Sequence, residues 1–232
     1  MYIKKTKKIE MKLIKYLLIL SASVFFFGCA KEDVKITDTE VGHSRIVFFP
    51  SIETKGDHLI IVQQGATFTD PGALAILNGK EAQYTTSGVV NTATPGIYYL
   101  TYEAKNPEGF SATDYRSVAV IGNDISNATD FSGTYARYVS GAANGQTSTW
   151  TKTAKGVYTV VNPGGATGVT ATAVNYTGNR IAIPPQPTAA GEFSTAITSA
   201  SGIYYPTATP PYYEWAIVNG GYGTQLRTFK KL

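Results

Sequence analysis

Two patterns of apolar and polar positions divide the chain. Residues 17–27 read LLILSASVFFF, one nearly unbroken apolar run. From residue 29 onward the apolar residues come in short bursts, alternate with polar ones, and are cut at short intervals by Gly, Pro, Asn and Asp. No stretch there repeats at the period of an amphipathic helix, whereas period-two alternation recurs, which predicts strands. In residues 97–102 (IYYLTY), Tyr98, Leu100 and Tyr102 fall on one face and Ile97, Tyr99 and Thr101 on the other. In YRSVAVI, residues 115–121, Val118 and Val120 share a face. SRIVFFP, residues 44–50, reads as an earlier strand. Further strands are predicted at GTYARYV, STWTK, GVYTVV, VTATAVNY, RIAIP, EFSTAIT, GIYYP, YEWAIV and LRTFKKL. Turns separate them at Lys155-Gly156, Asn162-Pro163-Gly164-Gly165 and Gly220-Gly221.

The predicted fold class is all-β, in two parts. The first spans residues 43–121 and the second residues 131–232. GNDISNATD, residues 122–130, is polar and turn-rich and reads as a linker. Eight or so short antiparallel strands in the second part predict a small β-barrel or β-sandwich. Tyr, Thr and Val, plentiful here, suit a pleated, half-buried surface. The chain has one cysteine, Cys29, so no disulfide braces either part and hydrophobic packing must hold each together.

Three stretches of the first part carry a resemblance. In FTDPGALA, Pro71 presets φ for the second position of a turn and Gly72 accepts positive φ at the third. TPGIYYLTYEAKNPEG and RSVAV follow in order. Together, over about residues 56–121, they resemble the bacterial Ig-like domain repeated in surface proteins and found in some insecticidal crystal proteins. The resemblance implies a β-sandwich of about seven strands with aligned packing, serving as a spacer or interaction scaffold. Asp70, Glu103 and Asp114 are its possible calcium ligands, but no six-oxygen shell is apparent. Asp70, just before Pro71, is more simply a turn residue, and no metal site is expected.

The apolar run explains the lone cysteine. Six lysines and one glutamate lie in residues 1–28. A basic head followed by a short apolar run is a secretory signal, too short to span a bilayer comfortably. Gly28-Cys29 resembles a bacterial lipobox, although Phe26 and Phe27 depart from its usual residues. Cys29 is then the lipidated N-terminus of the mature chain, since a single cysteine after an export signal has no partner. Residues 1–28 are the signal peptide and 29–42 a lipidated tether. Ala30-Lys31-Glu32-Asp33 resembles the surface-export signal of Bacteroidetes lipoproteins, placing the protein on the outer membrane, facing outward. The full chain carries +4 from 20 basic and 16 acidic residues; without residues 1–28 it has 14 against 15. That near-neutral remainder has no basic patch for nucleic acid.

The second part holds the candidate binding residues. FSGTYAR, GVYTVVN and YGTQLRTFKKL resemble, in that order, the C-terminal domains of two-domain Bacteroidetes lipoproteins, a likeness that brings no assigned activity. YYPTATPPYYEW, residues 204–215, holds five aromatics and three prolines in twelve positions. Pro206, Pro210 and Pro211 each lack an amide donor, so the middle is a loop or an edge. Exposed rings beside amides and hydroxyls hold sugars, and Trp150, Tyr205, Tyr212, Tyr213 and Trp215 are the candidates. Against this, Tyr213, Trp215 and Ile217 share one face that packs equally well as core.

Catalytic chemistry is poorly supplied. Both histidines, His43 and His58, precede the second part, which excludes a Ser–His hydrolase built within it. No His/Cys cluster offers zinc ligands. From residue 131 onward only Glu192 and Glu214 are acidic, the minimum for glycoside hydrolysis. The expectation is a non-enzymatic surface lipoprotein without cofactor. It is held to the membrane by lipid, and an Ig-like stalk presents a domain that binds a polysaccharide or another extracellular ligand. The alternative is a structural or assembly lipoprotein that docks an envelope protein.

Overall fold

The computed structural model describes residues 40–41, 44–187, 196–218 and 225–232. The signal segment, Cys29, His43, Glu192 and Gly220-Gly221 lie outside these residues. The chain divides into two compact units at Val47–Phe48. In the first, β1 (Glu40–Val41) pairs antiparallel with β2 (Ser44–Arg45). The predicted strand at 44–50 is therefore only partly formed: residues 46–50 are not strand. Pro50 has no amide to give a ladder, and the Phe48 carbonyl accepts instead from the Asn106 side chain at 2.8 Å.

The second unit opens with a β-sandwich. One sheet joins β3 (Ser51–Thr54), β5 (Ala73–Leu77) and β6 (Lys80–Ala82). The other runs in the order β4 (Leu59–Gln63), β9 (Ser111–Ile121), β8 (Gly96–Lys105), β7 (Tyr84–Ser87), with β4 parallel to β9. Leu100 and Tyr102 face the core, with Phe68, Tyr84 and Ile52 packed around them. This is the alternation the sequence predicts for β8. Gly72 has φ +74°, as its turn requires. Asn78 and Gly79, both at positive φ, close β5 onto β6 as a two-residue hairpin.

The rest of the unit is a closed barrel. Its strands are β10 (Gly133–Val139), β11 (Ala142–Ala154), β12 (Val157–Val161), β13 (Thr170–Thr177), β14 (Arg180–Ala182), β16 (Ala196–Tyr205), β17 (Tyr212–Val218) and β18 (Leu226–Lys231). The short β15 (Gln186–Pro187) adds only to β16. Each barrel strand pairs antiparallel with the next, and β18 returns to β10. The stretches EFSTAIT and GIYYP, predicted as two strands, meet in the single β16, whose register shifts between Ala200 and Ile203. An eight-stranded barrel has an interior about as wide as its own side chains. Here aromatic rings fill it: Tyr135, Trp150, Tyr158, Tyr213, Trp215 and Phe229 are all buried.

Sandwich and barrel share a second apolar cluster. Ala119 and Ile121 of β9, with Leu59 and Ile61 of β4, pack against Val174 and Tyr176 on the outer wall of β13. The Ser117 hydroxyl donates to the Pro185 carbonyl at 2.7 Å. Residues 122–130, expected as a plain linker, are docked onto the barrel. Gly122 N–H donates to the Tyr176 carbonyl at 2.7 Å, and the Asp124 carboxylate accepts from Gly178 N–H at 2.6 Å. Ile125, the one large apolar side chain in this segment, is buried in the shared cluster.

Candidate functional site

The five aromatic candidates separate by the alternation of β17. Tyr213 and Trp215 point inward and are fully buried, and Trp150 on β11 meets them at 2 % exposure. Trp150 stacks on Trp215 with ring centroids 5.2 Å apart, and the Trp215 indole N–H donates to the Pro163 carbonyl at 2.9 Å. Tyr213 stacks on Phe229 at 4.9 Å. Burial pushes the Tyr213 hydroxyl well up from its ordinary pKa. These three residues are core. A ring enclosed by the barrel wall has no face to offer a ligand in solution, so the binding role expected of Trp150, Tyr213 and Trp215 is corrected to packing.

Tyr205 and Tyr212 have the opposite fate. They end β16 and open β17, lie opposite each other in register, and flank the loop of residues 206–211 that holds the three prolines. Their inward neighbours are Tyr204 and Tyr213, so both rings lie on the outer wall, half-buried. The two rings stack nearly parallel, 16° apart, with centroids at 4.3 Å. Burial, then the nearby Glu214 and Tyr205, raise the Tyr212 hydroxyl pKa.

The neighbouring outward positions carry charge. Lys230 of β18 sits opposite Tyr212, and its amine lies 4.5 Å from the centre of the Tyr138 ring of β10. Glu214 follows on β17, and its carboxylate accepts the Thr228 hydroxyl at 2.7 Å. Tyr138 and Lys230 were not among the candidates expected from the sequence. The signal was present in GTYARYV and RTFKKL: with Tyr135 and Phe229 inward, Tyr138 and Lys230 fall outward.

The acidic residues of the sandwich do not converge on one cation site. Asp70 accepts from the Tyr102 hydroxyl at 2.7 Å and lies 3.2 Å from Nε of the fully buried Arg116. Asp114 takes the Thr54 amide at 2.7 Å, and Glu103 pairs with Lys105 at 3.1 Å. Among the described residues no group of three or more His, Cys, Asp or Glu forms a metal shell. An open cleft of about 420 Å³ lies where sandwich meets barrel, lined among others by Asp57, His58, Thr172 and Gln186. His58 Nδ1 is 2.8 Å from the Tyr115 carbonyl oxygen and 3.7 Å from the Asp114 carboxylate. The Gln186 side chain is occupied by both backbone groups of Thr172 and by the Pro184 carbonyl. No sequence signal marks this cleft, because its walls come from segments far apart in the chain.

Comparison with known proteins supports the first part of this picture. Residues 52–120 match the family described as bacterial surface protein, Ig-like domain. No curated protein matches the chain. A crystal structure of the lipoprotein BT2262 from Bacteroides thetaiotaomicron is similar at 22% identity and a TM-score of 0.35, covering 79% of this chain and all of that one.

Proposed function

We propose, for a chain whose residues 52–120 form an Ig-like domain of the bacterial surface protein type, that the barrel binds an extracellular glycan on its outer wall. The protein is held at the outer membrane by lipid on Cys29 and faces outward. The observation that carries the binding role is the Tyr205–Tyr212 pair, two stacked rings left half-open beside a proline loop while the other candidate rings are buried. Ring faces stack on the C–H faces of sugars, and tyrosine joins a large apolar face to a polar tip. The reading is non-catalytic: the barrel sequence offers only Glu192 and Glu214 as carboxylates, the minimum for glycoside hydrolysis. Electrophoresis through gels loaded with plant, host and microbial polysaccharides tests it. Retardation by at least one polymer, lost in Tyr205→Ala and Tyr212→Ala, is expected. Free migration in every gel counts against it.

A second reading is a structural or assembly lipoprotein that docks an envelope protein. It draws on Phe49 and Phe110, 65 % and 49 % exposed, whose rings meet at 4.9 Å on the sandwich. Crosslinking in intact cells that depends on both phenylalanines, with no glycan binding, would favour it.

A further inference from the structure

Lys230 and Glu214 are opposite charges on adjacent strands, both facing outward beside Tyr212. Diagonal neighbours across such a pair are separated by about 7–8 Å at the backbone, within reach of long side chains. Yet among the described residues no ion pair joins them. Glu214 holds the Thr228 hydroxyl, and the Lys230 amine rests on the Tyr138 ring. A carboxylate that accepts and an ammonium that donates thus both lie next to Tyr212 without pairing with each other. Cation–π contact leaves the amine its hydrogen-bonding protons. The carboxylate, with one oxygen engaged, retains acceptor capacity on the other.

We propose that this rim selects a neutral, polyhydroxylated glycan over an acidic one. The inference rests on the reading of the Tyr205–Tyr212 pair as a sugar platform. A sugar hydroxyl both donates and accepts, so one residue of a neutral glycan can donate a hydrogen bond to Glu214 and accept one from Lys230 while its C–H face covers Tyr212. Hydrogen bonds of this kind, to charged partners, are stronger than neutral ones. A uronate or a sulfate would meet Lys230 favourably and Glu214 unfavourably. A neutral polymer carries no charge for salt to screen, so its binding should be insensitive to salt.

The test uses the full chain, purified in detergent, against three sets of polysaccharides: neutral hexose polymers, uronic-acid polymers and sulfated polymers. Each is measured at low and high salt, alongside Glu214→Gln, Lys230→Met and Tyr212→Ala, with unfolding midpoints as the fold control. The expected result is binding to a neutral polymer, unchanged by salt and weakened about tenfold by loss of either charge. Binding confined to acidic polymers, falling with salt and strengthened in Glu214→Gln, overturns this inference and leaves the sugar-platform reading standing. Binding to no polymer, or binding that Tyr212→Ala leaves intact, overturns both.

Discussion

Tyr212 and Trp215 stand on one strand and face opposite sides of the barrel wall, and their removal should differ accordingly. Trp215→Ala empties a fully buried site and loses the Pro163 hydrogen bond. Large-to-small changes of this kind cost about 3–5 kcal/mol. Tyr212→Ala gives up a half-exposed stack worth about 0.5–1.5 kcal/mol. Urea denaturation of both variants reads the contrast directly; equal losses would mean that Tyr212 is core as well. A second residue-scale test concerns Arg116, buried at the heart of the sandwich. Asp70→Ala leaves its guanidinium with three backbone carbonyls and the Tyr102 hydroxyl but no counter-charge. A loss of about 2–3 kcal/mol is expected, below that of a wholly buried pair because Asp70 is partly exposed. Tyrosine ionisation sets the alkaline limit. Tyr102 in the sandwich and Tyr158 in the barrel are each pushed up to about 12, chiefly by burial. Both are neutral when folded, and an unfolded tyrosine ionises near pH 10. Their contribution is therefore intact below about pH 10 and is lost as pH rises through about 12. Tyrosinate absorbance should show unfolding and ionisation of the buried set together in that window, after the exposed tyrosines have titrated.

At the scale of elements, β9 explains why the parts do not swing freely. Its second half is buried on both faces. Val118 and Val120 face the sandwich core, while Ala119 and Ile121 meet the barrel. The sequence showed the shared face of Val118 and Val120, and an unbroken apolar end to the strand is what two-sided burial looks like. What covers the second face was not legible, because Val174 and Tyr176 lie in another domain's wall. The docking of residues 122–130 was hidden for the same reason: Asp124 reads as a turn residue until Gly178 N–H is seen on its carboxylate. The hairpin at Asn78-Gly79 was legible and overlooked. Val174→Asp places a charge in the shared cluster and should release the sandwich from the barrel while both stay folded. Limited proteolysis would then cut within residues 122–130, and persistence of the intact chain would argue that the hydrogen bonds alone hold the parts together.

For the whole molecule, sandwich and barrel lie within the single compact unit Phe48–Leu232. The Ig-like module therefore packs directly against the barrel wall. Burial of the tryptophans follows from barrel closure, which no local pattern announces: the alternation of β17 put Tyr213 and Trp215 on one face but could not say which face would be enclosed. Anchoring is separable from binding. Cys29→Ala should abolish incorporation of a labelled fatty acid and release the protein from the membrane fraction, and protease added to intact cells should remove the wild-type chain. Retention of label would contradict the anchor; resistance to protease would contradict surface exposure. The central claim, that the outer wall at Tyr205 and Tyr212 holds a sugar while the barrel interior is structural, is tested most directly by calorimetric titration. A polysaccharide that retards the protein in a gel is titrated into wild type, Tyr205→Ala and Tyr212→Ala. The account predicts heat of binding for wild type and none for the two variants, with all three folded. Equal heat from all three would contradict it.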